Sequence, residues 1–228
     1  MNVAIIAAAG QGARFGGNRP KQFLELSGTP ILFHTLRQFE QCDEIHEIIV
    51  VLPAEDTAGF LAMADKYGLL KLGRVVVGGA TRAESVLRGL QSVRPTTVDV
   101  VAIHDGVRPF VTVDEISRTV SAAKEHGAAV LVGRVRDTIK EMDGPLIVRT
   151  LDRARLRRAL TPQCFRFELL RRAYENVDIT DPTVTDESVL MERLGATVVA
   201  IEGSSRNIKI TSYEDLAIGE ALLKMDRG

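Results

Sequence analysis

Short apolar runs alternate with amphipathic segments along most of the chain. The runs predict buried strands at residues 3–7, 47–52, 74–77, 98–103 and 128–132. Helical spacing and caps predict helices between them, at residues 54–67, 81–90 and 113–126. Strands and helices that alternate in this way predict an α/β fold, with a mostly parallel sheet and helices on both faces.

The C-terminal part returns to the same pattern. It predicts helices at residues 167–176 and 186–194, strands at 197–202 and 207–210, and a closing helix at 213–225. We find no repeat, linker or change of composition that would mark a second domain. One domain spanning residues 1–228 is therefore expected.

A more polar segment interrupts this pattern after Gly133. Residues 134–142 and 145–151 flank Asp143-Gly144, which is a hairpin turn signal. Both limbs carry too many charges for a buried strand pair, so we expect a protruding β-arm at about residues 134–153. A two-stranded ribbon is marginal alone in water. The arm should pack on a second copy of the chain, although a hairpin folded back on its own domain is the simpler alternative.

The loop after the first strand combines glycines with cations. Gly10 and Gly12 allow backbone N–H groups to approach an anion, and Arg14 and Lys21 can neutralise it. Pro20 fixes the chain just before Lys21. The spacing fits neither a Walker loop nor a complete dinucleotide fingerprint. A polyphosphate-binding loop is predicted; the alternative is a flexible turn with solvated cations.

A second chemical stretch, His104-Asp105, follows the fourth predicted strand. Carboxyl ends of parallel strands meet at one edge of the sheet, so this stretch should face the glycine-rich loop. One carboxylate beside substrate phosphates suits Mg²⁺, which makes Asp105 the candidate ligand. The alternative is a structural Asp105–Arg108 pair. We expect His104 to be packed or capping rather than catalytic.

Composition excludes several classes of function. The chain has 228 residues, 45% hydrophobic and 26% charged, with a net charge of −1, so general nucleic-acid affinity is not expected. Its two cysteines and four histidines show no metal-ligand spacing. From the residue pattern we expect neither a leader nor a membrane-spanning segment. A cytoplasmic protein is the default expectation.

Eight short motifs are distributed over almost the whole chain. They are the glycine-rich loop with Pro20-Lys21-Gln22, Gly79-x-x-Arg82-x-x-Ser85, His104-Asp105-x-x-Arg108-Pro109, Val135-Arg136-Asp137-Thr138, Asp152-Arg153, Leu160-Thr161-Pro162-Gln163, Thr185-Asp186-Glu187 and Asn207-Ile208-Lys209. Together, and in this order, they resemble the 2-C-methyl-D-erythritol 4-phosphate cytidylyltransferase family of nucleotidyltransferases. One departure is Ala80, where some relatives carry Asp beside the cytosine.

The resemblance implies a Rossmann-like nucleotidyltransferase fold, a homodimer and transfer of CMP from CTP to methylerythritol phosphate with release of pyrophosphate. The residues that it assigns to nucleotide binding are Ala8, Ala9, Gly10, Gly12, Gly79, Arg82, Ser85 and Asp105, with Asp105 on Mg²⁺. The residues assigned to substrate binding are Arg108, Thr138, Arg153, Thr161 and Lys209. The catalytic set is Arg14, Lys21, Arg153 and Lys209.

The implied reaction agrees with the residue types. A phosphate monoester has a second pKa of about 6, so the nucleophile is ionised at neutral pH and needs no general base. No Ser/His/Asp or Cys/His arrangement is evident. Catalysis then consists of positioning and neutralising negative charge.

Three alternatives remain open from the sequence. The nearest is a cytidylyltransferase for another polyol phosphate such as ribitol 5-phosphate, against which Asp152-Arg153 argues. The second is an NAD-dependent oxidoreductase, which the missing third glycine disfavours. The third is a nucleotide-binding regulator without catalysis.

We predict that Lys21→Ala and Arg14→Ala each lower turnover by about two orders of magnitude or more, as loss of one charge-stabilising donor does. Affinity for CTP should fall less, because other loop contacts remain. Steady-state kinetics on each variant tests this. Turnover like that of the wild type would remove the residue concerned from the mechanism.

Overall fold

A computed structural model describes residues 1–10 and 20–225. Its strands are β1 Asn2–Ala7, β2 Glu25–Leu26, β3 Thr29–Pro30, β4 Glu47–Leu52, β5 Leu72–Val77, β6 Val100–Asp105, β7 Ala128–Arg134, β8 Lys140–Asp143, β9 Leu146–Thr150, β10 Arg157–Arg166 and β11 Val199–Glu202. In this part of the chain, seven strands form the central sheet in the order β11-β7-β10-β6-β1-β4-β5. Only β10 runs antiparallel to its neighbours in that sheet.

Helices cover both faces of the sheet. They are α1 Ile31–Glu40, α2 Thr57–Tyr67, α3 Arg82–Gln91, α4 Val113–His126, α5 Phe167–Asn176, α6 Glu187–Arg193 and α7 Tyr213–Met225. Residues of α1, α2 and α4 pack in one core layer, and residues of α3, α5 and α6 pack in the other. The predicted α/β architecture is confirmed.

The central strand β1 shows how the apolar pattern produces two layers. Side chains alternate between the faces of a strand. Ala4 and Ile6 therefore join the layer of α1, whereas Val3 and Ile5 join the layer of α3. All four are fully buried. A strand segment buried on both faces is expected to be apolar, as β1 is at residues 3–7.

Strand β10 was not predicted. Its first half is charged and exposed, and it contains Pro162, which argues against a central strand. The structure accommodates that proline at a register shift between Ala159 and Gln163, where the Thr161–Pro162 peptide bond is cis. The predicted strand at residues 207–210 is wrong: the segment is irregular, and Ile210 N donates to Val107 O at 2.9 Å.

Helix caps follow the sequence with one correction. Thr81 accepts from Glu84 N at 3.1 Å, as a capping box requires. The Glu84 carboxylate, however, accepts from Ala80 N at 2.8 Å instead of closing the box. A complete capping box, which the sequence analysis missed, starts α4 between Thr112 and Glu115.

The arm, residues 134–153, contains the predicted hairpin. Strands β8 and β9 pair only with each other, and Gly144 in the turn has a φ of 51°. Every residue of both strands is exposed, including the apolar Leu146, Ile147 and Val148 at 69%, 61% and 59%. The chain therefore carries an apolar surface on the arm.

Both cysteines are free and buried. Burial, with a smaller effect of Cys42, raises the pKa of the Cys164 thiol well above its ordinary value. A buried protonated thiol is unreactive. Within the described residues, no helix is long and apolar enough to cross a membrane.

A buried histidine connects the two central strands β6 and β10. His104 Nε2 lies 3.2 Å from the Arg108 carbonyl oxygen, which can only accept. The other ring nitrogen, Nδ1, therefore accepts from the Thr161 hydroxyl at 2.9 Å. The same hydroxyl oxygen accepts from Asp105 N at 3.2 Å. Burial lowers the pKa of His104 to about 3, so the ring is neutral at physiological pH.

We predict that stability falls with acidification below about pH 6.5 partly because of His104. The unfolded chain binds the His104 proton below its ordinary pKa of 6.5, while the folded chain excludes it down to about pH 3. Protons therefore favour the unfolded state between these values. The loss from this residue between pH 7 and pH 5 should be about 2 kcal/mol.

Urea unfolding of His104→Gln at several pH values measures this contribution. Its free energy of unfolding should change less between pH 7 and pH 5 than that of the wild type. His126→Gln serves as the control, because His126 lies exposed at the end of α4. Equal pH dependence in the wild type and His104→Gln would contradict the assignment.

Candidate active site

Three loops meet at the carboxyl edge of the parallel strands. The ends of β1, β5 and β6, together with the segment before α7, enclose one pocket. Its lining comprises Ala7, Ala8, Ala9, Gly10, Lys21, Gln22, Gly79, Ala80, Thr81, Arg82, Ser85, Asp105, Val107 and Lys209. The candidate site therefore lies where ligands bind in open α/β sheets.

Small residues let the loops approach each other. A Cβ on Gly78 would stand 2.3 Å from the Ala9 Cβ, and one on Gly106 would stand 2.8 Å from the Ala8 Cβ. These distances are shorter than real Cβ contacts, so neither glycine tolerates a side chain without movement. Ala8 and Ala9 are thus held between two glycines, which fixes the pocket wall at the end of β1.

The pocket floor is a buried carboxylate surrounded by cations. Asp105 Oδ1 lies 3.2 Å from Arg82 Nε, and Asp105 Oδ2 lies 3.1 Å from Arg108 Nε. Lys209 Nζ is 3.0 Å from the same Oδ2. Burial alone raises the pKa of the Asp105 carboxyl, but the cations outweigh burial and hold the pKa well below its ordinary value. Asp105 is therefore an anion that orients three cations.

A second buried carboxylate holds Arg82 from the other side. Glu187, 1% exposed, accepts from Arg82 Nη1 at 2.9 and 2.8 Å through its two oxygens. It also accepts from the Tyr174 hydroxyl at 3.2 Å. Arg82 is thus fixed between Asp105 and Glu187, which leaves its guanidinium little freedom.

The buried side chain of Gln163 places Glu187. Gln163 Oε1 accepts from Glu187 N at 3.1 Å and from Ser188 N at 3.2 Å, at the start of α6. Its Nε2 donates to Asp186 Oδ2 at 2.9 Å. Because Gln163 belongs to β10, the unpredicted strand anchors the helix that positions Arg82.

The irregular segment before α7 places Lys209. Asn207 Nδ2 donates to Thr161 O at 2.9 Å, and Arg108 Nη1 donates to Asn207 O at 3.1 Å. Ile210 is fully buried just beyond Lys209. These anchors on both sides of Lys209 compensate for the missing secondary structure.

The Ser85 hydroxyl is engaged within the protein. It donates to Thr81 O at 2.8 Å and accepts from Gly79 N at 3.1 Å. Glu84 binds the next backbone amide, that of Ala80. Ser85 therefore orders the loop after β5 in the ligand-free chain.

The predicted site residues fall into four groups. Those that line the pocket are Ala8, Ala9, Gly10, Lys21, Gly79, Arg82, Ser85, Asp105 and Lys209. Arg108 and Thr161 lie outside that lining but hydrogen-bond to Asp105. Gly12 and Arg14 lie outside the described residues. Thr138 and Arg153 lie on the arm.

The two residues on the arm do not line the pocket of their own chain. Thr138 and Arg153 are both exposed. Arg153 Nη1 donates to Arg136 O at 2.5 Å, a contact within the arm. The predicted set of substrate-binding residues is therefore not brought together within one copy of the described chain.

Three buried residues make contacts at the candidate site that the sequence analysis did not predict. Glu187, Gln163 and Asn207 occurred in the motifs without an individual role. Each is 1% exposed and hydrogen-bonded to the groups around Asp105. A polar residue within an apolar segment was the available signal, but its partners lie far away in the chain.

The described lining of the pocket could hold only a metal ion that takes most of its ligands from substrate and water. The described residues contain no cluster of three or more His, Cys, Asp or Glu that would hold a metal alone. Asp105 is the one carboxylate among the described lining residues. Mg²⁺ commonly combines one or two carboxylates with water and substrate phosphates. The arrangement fits that coordination.

Comparison with known proteins identifies the family. The profile of 2-C-methyl-D-erythritol 4-phosphate cytidylyltransferase matches residues 2–225. The cytidylyltransferase of that name from Bacillus cytotoxicus is 40% identical over 227 residues, covering 100% of both chains. A bifunctional enzyme IspD/IspF from Desulfotalea psychrophila is 43% identical over 96% of this chain; the chain spans 56% of that relative.

Solved structures agree with this match. The crystal structure of 4-diphosphocytidyl-2C-methyl-D-erythritol synthase from Anaerococcus prevotii superposes with a TM-score of 0.86 at 31% identity, covering 98% of this chain and 96% of the other. The fold, the order of the motifs and the profile match lead to one conclusion. The chain belongs to the 2-C-methyl-D-erythritol 4-phosphate cytidylyltransferase family.

Proposed function

We propose that the protein transfers CMP from CTP to 2-C-methyl-D-erythritol 4-phosphate and releases pyrophosphate, a step of non-mevalonate isoprenoid synthesis. The observation that carries this is the buried Asp105 carboxylate, which holds three cations at the carboxyl edge of the sheet. Such a cluster suits a reaction between two phosphate-bearing substrates. The family match supplies the identity of those substrates.

The reaction needs negative charge neutralised more than it needs a base. The acceptor phosphate, with a second pKa of about 6, is already a nucleophile at neutral pH. The buried His104 is neutral and hydrogen-bonded at both ring nitrogens, so it is not available as a base. One of the acceptor's phosphate oxygens attacks the α-phosphorus of CTP, and the bond from that phosphorus to the β-phosphate bridging oxygen breaks.

Different residues are proposed to bind different parts of the two substrates. Lys21, Arg14 and the backbone of Ala8–Gly10 and Gly12 would hold the triphosphate, while Gly79, Ser85 and Arg82 would enclose the nucleoside. Lys209 is the cation best placed to turn from Asp105 toward a substrate phosphate, since its side chain is 37% exposed against 11% for Arg108. Arg108 and Thr161, which both hydrogen-bond to Asp105, would stabilise the acceptor phosphate from the side of that carboxylate.

Mg²⁺ is the proposed metal, with Asp105 as its protein ligand and the CTP phosphates as the others. When bound, it would neutralise part of the triphosphate charge. Lys209, the most exposed of the three cations on Asp105, would contact the acceptor phosphate.

A pyrophosphate-release assay with a panel of substrates tests the proposed function. Small residues around the pocket predict a clear preference for CTP over ATP and GTP, with UTP the closest competitor. Methylerythritol phosphate should exceed ribitol 5-phosphate as acceptor, and EDTA should abolish release. Equal use of a purine triphosphate would reject the pocket assignment. Preference for ribitol 5-phosphate would establish the alternative acceptor, and the absence of any release would favour a non-catalytic or NAD-binding role.

The arm is proposed to complete the site of a second copy in a two-fold homodimer. Thr138 and Arg153 are assigned to substrate, yet neither lines the pocket of its own chain. The arm also exposes Leu146, Ile147 and Val148, which burial in an interface would stabilise. One partner surface accounts for both observations.

Subunit mixing tests the shared site. Arg153→Ala and Lys21→Ala chains should each be nearly inactive alone. A heterodimer of the two contains one doubly damaged site and one intact site if the arm crosses over, so activity should partly return. Differently tagged chains show that exchange has occurred. An exchanged sample that stays inactive would mean that Arg153 serves its own subunit.

A further inference from the structure

One buried carboxamide in the pocket wall makes no hydrogen bond to the part of the chain that the structure describes. Gln22 lies in the single helical turn Lys21–Phe23, lines the pocket and is 1% exposed. Neither its Nε2 nor its Oε1 has a hydrogen-bonding partner among the described residues. A buried amide without partners lowers stability, because it loses its hydrogen bonds to water and gains none.

Gln163 shows what a buried glutamine does when its role is structural. It is also 1% exposed, but its carboxamide makes three hydrogen bonds, to Asp186, Glu187 and Ser188. The fold therefore gives both polar atoms of one buried glutamine a partner and gives neither atom of the other a partner among the described residues. The unsatisfied one is the one at the candidate site.

The lining of the pocket indicates which substrate Gln22 would meet. The described residues assigned to nucleotide binding all line the same pocket as Gln22. Of those assigned to the acceptor, Arg108, Thr161, Thr138 and Arg153 do not line it. A carboxamide offers one acceptor and two donor hydrogens. A nucleoside triphosphate presents both complements, as ribose hydroxyls and phosphoryl oxygens.

We propose that Gln22 binds CTP, with Nε2 donating to a phosphoryl oxygen and Oε1 accepting from a ribose hydroxyl. Rotation about the side-chain torsions of Gln22 would bring the amide to the pocket surface. The inference rests on the proposed function and adds a nucleotide-binding residue to it. The hydrogen bonds that the free chain lacks are formed in the nucleotide complex.

Gln22→Met separates this role from a structural one. Methionine has a similar size and needs no hydrogen bonds, so the free variant should unfold at the same urea concentration as the wild type or higher. The matched control, Gln163→Met, removes a satisfied carboxamide and should unfold at a clearly lower concentration. Calorimetry with CTP alone should show about tenfold weaker binding to Gln22→Met, the loss expected for one or two hydrogen bonds.

Steady-state kinetics of Gln22→Met and the CTP binding of the wild type complete the test. In Gln22→Met the KM for CTP should rise and the KM for the acceptor should not. Unchanged CTP affinity, a rise confined to the acceptor KM, or destabilisation as large as that of Gln163→Met would each overturn the inference. Failure of the wild type itself to bind CTP would instead reject the proposed function. The two failures are therefore distinguishable.

Discussion

The ion pairs of Asp105 are the interaction on which the rest of the site depends. A buried carboxylate is costly unless opposite charges and hydrogen bonds compensate for its lost hydration. Here three cations reach it from three separate parts of the chain: α3, the loop after β6 and the segment before α7. Without that carboxylate, the three cations would repel one another. Asp105 therefore holds together the cation cluster at the centre of the candidate site.

The three cations around Asp105 differ in side-chain exposure, and this difference indicates how freely each can move. Arg108 is 11% exposed and also donates to a backbone carbonyl, so it is largely fixed. Arg82 is 28% exposed and shared with Glu187. Lys209, at 37%, is the most accessible and has the most flexible side chain of the three. Fixed donors provide preorganised electrostatics, and a mobile cation can follow the charge as it moves.

The sequence predicted the parts of the fold that depend on local pattern. The apolar run of β1 at residues 3–7 and the Thr81 cap of α3 follow from alternation and side-chain chemistry that nearby residues supply. Strand β10 could not be predicted, because its stability comes from pairing with β6 and β7, far away in sequence. Its charged first half and Pro162 locally favour another structure. Tertiary pairing overrode that preference.

The candidate site divides in the same way. Asp105 and Lys21 stand out locally, beside a buried strand end and a glycine-rich loop. Glu187, Gln163 and Asn207 matter only through partners on other elements, so only the fold shows their part. The motifs had indicated the segments that contain these three residues, but not the contacts of each side chain. Hydrogen bonds between residues far apart in sequence leave no periodic pattern in the local sequence.

Two departures from favourable folding lie where function is proposed. Most buried polar groups around Asp105 are paired, and β1 and β4 are buried in two apolar layers. Gln22 is instead buried without a partner among the described residues, and the arm exposes Leu146, Ile147 and Val148. Sequences that specify one fold generally violate its local rules at functional sites. The proposed nucleotide would supply hydrogen-bonding partners for Gln22, and the proposed second copy would cover the apolar residues of the arm.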